Sequence, residues 1–154
     1  MSQQGESKGP VVWLRETMDA AQRDAETATA SPWHASEHKY DEDFEASIGG
    51  WPEGADIAGH GYEGGGVDTM ATARHMVRHQ PATVLTRITA DRKLLADLLT
   101  EKHYVGDDTW YRCPATGESG DRDGTQDCTC GRDGRVDRRV RLLAESWGWT
   151  EEAL

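Results

Sequence analysis

Large aliphatic side chains are scarce in this chain. Phenylalanine occurs once, and leucine, isoleucine, valine and phenylalanine together number 21 of 154 residues, about 14 percent. A share below roughly 20 percent with high net charge approaches the composition of disordered chains, and the net charge is −11. No apolar run nears the roughly 20 residues that cross a bilayer. The opening MSQQGESKGP leads into the mixed stretch VVWLRETMDAA, not the apolar segment of a secretory leader. These absences exclude a membrane span and point to a cytoplasmic protein. No G-x-S-x-G marks a hydrolase elbow. Gly64-Gly65-Gly66 lacks the following G-K-[ST] of a phosphate loop, so it reads as a hinge.

Six tryptophans and four tyrosines recover some of the missing apolar area, since a large aromatic buries on the order of 150–250 Å². The core is still small, and a staple would strengthen it. The length fits one domain: a flexible tail over residues 1–9, then a single domain over 10–154. Within it, 10–66 read as a helix plus a β-like part, and 67–154 as a helical part. Charge is uneven, with 13 acids against 4 bases in residues 1–66 and 15 against 13 in 67–154. An acidic front half repels nucleic acid and anionic membrane. Arginine outnumbers lysine 13 to 4, the usage of GC-rich codons.

Pro10 suits a first helical turn. Val11, Leu14, Met18, Ala21 and Ala25 recur at three- and four-residue spacing, which predicts a helix over about 10–28. The stretch 29–66 is broken by prolines and glycines. WHASEHKY, FEASI and ADIAGH within it predict short strands of a small antiparallel sheet. Pro32-Trp33 after the first helix predicts a turn that seats a core ring. VDTMATARHMVRH then reads as a helix with Met70, Ala73 and Val77 on one side and Asp68 as its N-cap. Pro81 opens a second helix whose face is Val84, Leu85, Ile88, Leu95 and Leu99, with Leu94 and Leu98 beside it. A last helix over DGRVDRRVRLLAESWGW carries Val136, Val140, Leu143 and Trp147.

All three cysteines lie in CPATGESGDRDGTQDCTCGRDGRV. In a reducing compartment such spacing favours a metal over a disulfide. Structural zinc takes four thiolate and imidazole ligands in a tetrahedron. Cys128 and Cys130 offer two thiolates across a tight turn, Cys113 a third, and His103, ten residues before Cys113, is the best fourth. The expected cofactor is one structural zinc per chain on His103, Cys113, Cys128 and Cys130. Three reduced thiols are the plain alternative, and a Cys128–Cys130 disulfide would be strained. A sulfur-rich, filled site suits scaffolding, whereas catalytic zinc keeps an open position. Without His103, three thiolates plus water would resemble a deaminase centre, but the H-x-E and P-C-x-x-C pair of those enzymes is missing.

Two weaker constellations remain. His75 and His79 share a helix face at i, i+4, the spacing of a metal grip, although Met76 stands where H-E-x-x-H has its glutamate. Asp68, His60 or His103 would have to complete that second site, and a metal-dependent hydrolase would follow. Arg132, Arg135 and Arg139 form one basic helical edge that could contact an anion, and nucleic-acid binding through residues 132–141 is the corresponding reading. Overall acidity makes it the minority one. In that run, Asp137 and Arg141 are the opposite charges at helical i, i+4 spacing.

The first helix, the Pro-Trp after an Ala/Thr-rich stretch, ARHMVRHQPATVLTRITADRKLL and CTCGRDGRVDRRVRLLA together resemble a family of short proteins. That uncharacterised family is found in actinobacteria and in phages that infect them. The specific parts are Arg78, His79, Pro81, Ala82, Val84 and Leu85, and the run from Cys128 to Asp133; Ser31 stands where a Gly would be expected. The resemblance implies an accessory protein, chromosomal or phage-borne, acting in a bacterial cytoplasm, with no assigned activity. The reading is an α+β fold: N-terminal helix, small irregular antiparallel sheet, helix-Pro-helix segment, zinc-clipped loop and C-terminal helix. The expected function is a non-enzymatic, zinc-stabilised binding or adaptor protein. It would act on another protein, and not on nucleic acid or membrane.

Overall fold

A computed structural model describes residues 9–37, 46–50, 55–59, 66–103, 110–113, 119–121 and 130–151. The expected tail up to residue 8, the ends of two expected strands, His60 and Cys128 lie outside these. The architecture is α+β, and the backbone gathers into two compact units. One comprises Met18–Thr89; the other comprises Met1–Thr17 with Ala90–Leu154.

Helix α1 spans Pro10–Thr27. Proline has no N–H to waste at a helix start, and the Gly9 carbonyl accepts the first bonds from Val12 and Trp13, both 3.1 Å. Leu14 and Met18 are fully buried, with Val11, Ala21 and Ala25 half-buried on the same stripe. This is the face that the three- and four-residue spacing marks.

In the Met18–Thr89 unit, β1 (His34–Glu37), β2 (Ala46–Gly50) and β3 (Ala55–Ala58) form an antiparallel sheet in that order. Ala35 pairs with Ile48 and His34 with Gly49, and the β2–β3 register shifts between Ile48 and Gly49. Strand β2 alternates strictly, burying Ala46, Ile48 and Gly50, because successive side chains leave opposite faces of a strand. At Gly49 the exposed His34 ring lies over the strand, and a Cβ there would come within 2.7 Å of it, so a larger residue would turn the ring aside. Helix α2 (Met70–Arg78) covers the sheet. Ala46, Ile48, Val67 and Ala73 form the buried centre, and Trp33, Ile57, Met70, Met76 and Val77 pack against it.

The N-cap of α2 is Thr69, not Asp68. Thr69 has the extended backbone a cap needs, and its hydroxyl accepts from Thr72 N at 3.1 Å. Asp68, one residue further out, is exposed. Helix α3 (Pro81–Thr100) follows after Gln80. Its start is tied back to the Pro-Trp turn. The Ser31 hydroxyl accepts from Ala82 N at 3.1 Å, and the Gln80 side-chain carbonyl accepts from Trp33 N at 2.8 Å. Trp33 is thus the seated ring that its sequence context predicts, its indole N–H donating to Thr29 O at 3.0 Å.

In the other unit, Leu95 and Leu98 of α3 are buried while Leu94 is 46 % exposed, so of the two flanking leucines only Leu98 joins the core stripe. Asp91 lies one turn before Leu95 on that stripe, and the Trp147 indole N–H donates to its carboxylate at 2.8 Å. A buried-side carboxylate is tolerated when it is hydrogen-bonded. Strands β4 (Trp110–Arg112) and β5 (Ser119–Asp121) pair as an antiparallel hairpin inside what reads as plain loop. Helix α4 (Arg132–Glu145) buries Val136, Val140 and Ala144. It ends before the expected Trp149, because Gly148 takes φ 99° and Trp149 N turns back onto Ala144 O at 3.0 Å. With Gly148 N on Glu145 O at 2.9 Å this is a Schellman closure. It leaves Trp149 only 4 % exposed.

Candidate metal centre

Three segments of the second unit converge on one point. His103 stands three residues beyond the end of α3, Cys113 directly follows β4, and Cys130 precedes α4. Their ligand atoms all lie within 4.8 Å of one another. Cys113 is fully buried, and the His103 imidazole is 4 % exposed. His103 Nε2 is 3.4 Å from Cys130 Sγ. Zinc bonds of about 2.0–2.3 Å place tetrahedral ligands about 3.4–3.8 Å apart. The His103–Cys130 pair already has that spacing, and the widest pair needs to close by about 1 Å.

The turn after Cys130 is shaped for the thiolate. Gly131 takes φ 66° as the N-cap of α4, a conformation cheap only for glycine. The Arg132 N–H then points at Cys130 Sγ, 3.4 Å away. Arg135 Nη1 donates to the Cys130 carbonyl at 2.9 Å. Together the two contacts tie the Cys130 turn to the first turn of α4.

Asp133 completes the surroundings and was not marked by any spacing. Its Oδ1 lies 3.1 Å from His103 N and 2.9 Å from His103 Nδ1. Burial pushes the Asp133 carboxyl up. The His103 backbone N–H, the His103 ring and the Lys102 ammonium outweigh it and hold the group below its usual value. His103 is raised above the ordinary 6.5, first by its hydrogen bond with Cys113 and, against the cost of burial, by the charge and hydrogen bond of Asp133.

Thiolate and imidazole donors suit zinc and other borderline or soft cations, so this group could hold a metal ion. Protons compete with any such ion. In the metal-free chain, the raised His103 contributes stability that is full below 6.5 and is lost as pH rises through its folded value. A metal-bound chain would have the opposite slope, since an ion requires neutral imidazole and thiolates. Metal affinity, read by chelator competition, should therefore fall on acidification from above 6.5. Affinity that is flat through the neutral range would exclude His103 as a ligand.

His103, Cys113 and Cys130 are thus brought together, while Cys128 is outside the described residues. His75 of α2 and His79, the C-cap of that helix, are both exposed, ring centroids 4.6 Å apart and tilted by 49°. Among the described residues no third His, Cys, Asp or Glu completes a set with them. On the basic edge, Arg135 is committed to the Cys130 carbonyl and Arg139 Nη1 meets Glu101 Oε2 at 3.2 Å. The expected Asp137–Arg141 pairing gives way to longer-range partners. Asp137 meets Lys102 at 2.6 Å, and Arg141 pairs with Glu151.

Among the described residues no helix is long and apolar enough to cross a membrane. No curated protein and no solved structure matches the chain. A family model does match, over residues 8–148, and takes in α1 through α4 together with His103, Cys113 and Cys130. The chain belongs to that family, a family of unknown function, DUF6221.

Proposed function

We propose that this chain is a non-enzymatic, zinc-stabilised binding or adaptor protein that works through contacts with another protein in a bacterial cytoplasm. The supporting observation is the convergence of His103, Cys113 and Cys130 from three separate segments. A cation bound there ties the end of α3, the β4–β5 hairpin and the start of α4 together, which is what a small core calls for. With Cys128 as fourth ligand the tetrahedron is filled, and a filled, sulfur-rich zinc has no open position for substrate.

For the partner, support is compositional. The excess of acids in residues 1–66 suits a basic surface. Among the residues whose burial is described, the exposed anchors are aliphatic: Val12, Leu94 and Leu142 stand out, whereas Trp13, Trp33, Trp147 and Trp149 are half-buried or buried. An accessory role, chromosomal or phage-borne in actinobacteria, fits the resemblance in the sequence. The hydrolase and nucleic-acid readings are weaker, given exposed His75 and His79 without a third ligand and two of the three edge arginines already engaged.

Elemental mass spectrometry of the purified chain tests this reading. One zinc per chain is expected, with a marked loss of thermal stability in chelator. No metal would sink it, and a second exchangeable metal lost in His79→Ala but kept in Cys113→Ser would replace it with the hydrolase.

A further inference from the structure

We propose that Asp133 is the positioning residue of this metal centre, fixing the tautomer and tilt of His103 so that Nε2 presents its lone pair to the cation. The inference rests on the metal-site reading above and adds a residue to it.

An ionised carboxylate only accepts hydrogen bonds. Asp133 Oδ1 sits 2.9 Å from His103 Nδ1, so Nδ1 must carry the proton. A neutral imidazole with hydrogen on Nδ1 has its lone pair on Nε2, and Nε2 is the atom 3.4 Å from Cys130 Sγ. The same carboxylate oxygen accepts the His103 backbone N–H at 3.1 Å. One atom therefore fixes both the main chain and the ring of the ligand, which leaves the imidazole little freedom to swing away. Asp133 itself is held by α4, whose first turn it occupies, where the helix dipole favours a negative charge. It lies three residues after Cys130. The short run Cys130, Gly131, Arg132, Asp133 thus supplies one ligand, the left-handed turn, an N–H to the sulfur and the anchor of the opposite ligand. Carboxylate–histidine–metal relays of this kind raise ligand basicity and fix its orientation, and losing the carboxylate costs about 10–100-fold in metal affinity.

Zinc(II) affinity by chelator competition, on wild type, Asp133→Asn and Asp133→Ala, tests this. The expected loss is about 10-fold for the isosteric Asn and up to about 100-fold for Ala. Asp137→Asn, on the same helix but paired with Lys102, should bind like wild type. A direct readout avoids any folding defect in the variants. Imidazole ¹⁵N shifts of zinc-loaded wild type should show Nε2 bound to metal and Nδ1 protonated, and Asp133→Asn should shift the Nδ1 resonance. Wild-type affinity in both variants, or Nδ1 ligation in the wild type, overturns the role of Asp133 while leaving the centre standing. A wild-type chain that takes up no zinc overturns both.

Discussion

Replacing Cys113 by serine should abolish tight zinc binding and cost far more stability with zinc present than with chelator present. Cys113 is fully buried and lies between the β4 strand and the point where His103 and Cys130 meet. Two effects add in the variant. The first is independent of metal: a serine hydroxyl placed where the thiol was loses a partner or remains unsatisfied, at about 1–3 kcal/mol. The second is the metal's own contribution to folding, apparent values of which reach about 10–16 kcal/mol in zinc-finger peptides. Domains as a whole are stable by about 5–15 kcal/mol, so the second effect decides whether the variant folds. For a chain of this size, about 1 kcal/mol moves the melting point by about 2–4 °C. In chelator, the wild type and Cys113→Ser should therefore melt within about 12 °C of each other. In zinc the gap should widen well beyond that. A gap of equal size under both conditions would show that Cys113 is a packing residue and that the three donors do not hold an ion.

The elements that were legible in the sequence were those whose signal is local. The stripe Val11, Leu14, Met18, Ala21, Ala25 repeats through about four turns of one helix, and each of these positions is buried or half-buried. WHASEHKY and ADIAGH each contain a strand of the observed sheet, and FEASI overlaps β2, which runs on through Gly49 and Gly50 where the sequence reads a break. Missed features have their cause in distance or brevity. The β4–β5 hairpin uses strands of three residues, Trp110–Arg112 and Ser119–Asp121, too short for alternation to register. Asp68 and Thr69 are both good cap residues by type, and only the backbone geometry of the fold separates them. Leu94 and Leu98 look alike beside a helical face, and only packing tells which is exposed.

The same contrast holds at the candidate metal centre. Cysteine and histidine announce themselves by chemistry and rarity, so His103, Cys113 and Cys130 could be grouped across 27 residues without a fold. Asp133 could not, because it is one of 28 acidic residues and its tie to His103 spans 30 positions. In the sequence it reads as the charged face of a helix. The arginines mislead in the mirror-image way. Arg135 and Arg139 share a face at helical spacing and suggest an anion edge. The fold instead spends one on the Cys130 carbonyl and the other on Glu101.

The low count of large aliphatics makes each one that is buried expensive to lose, and Ile48→Ala should be the most damaging change outside the candidate metal centre. Ile48 is fully buried at the middle of β2, the central strand, and pairs with Ala35 of β1 and Ala58 of β3. Those partners are small, so the volume under α2 falls to Ile48 itself, with Trp33, Ile57 and the α2 methionines packed around the cluster. Ile→Ala in such a site costs about 2–5 kcal/mol, the upper end applying where neighbours cannot close the gap. Here the closest backbone neighbours are held by the sheet, and Trp33 is fixed through its indole N–H on Thr29 and its backbone N–H on Gln80, so collapse is restricted and a value in the upper half is expected. Ile48→Val, which keeps the β-branch and removes one methyl, should cost about 0.5–1.5 kcal/mol. Urea titration reads both: the midpoint should fall in that order with an unchanged slope, because neither variant alters the surface exposed on unfolding. A loss below about 1 kcal/mol for Ile48→Ala would mean that the three-stranded sheet contributes little to the folded state. Stability would then reside in the helices, with β2 resting on α2 without holding it.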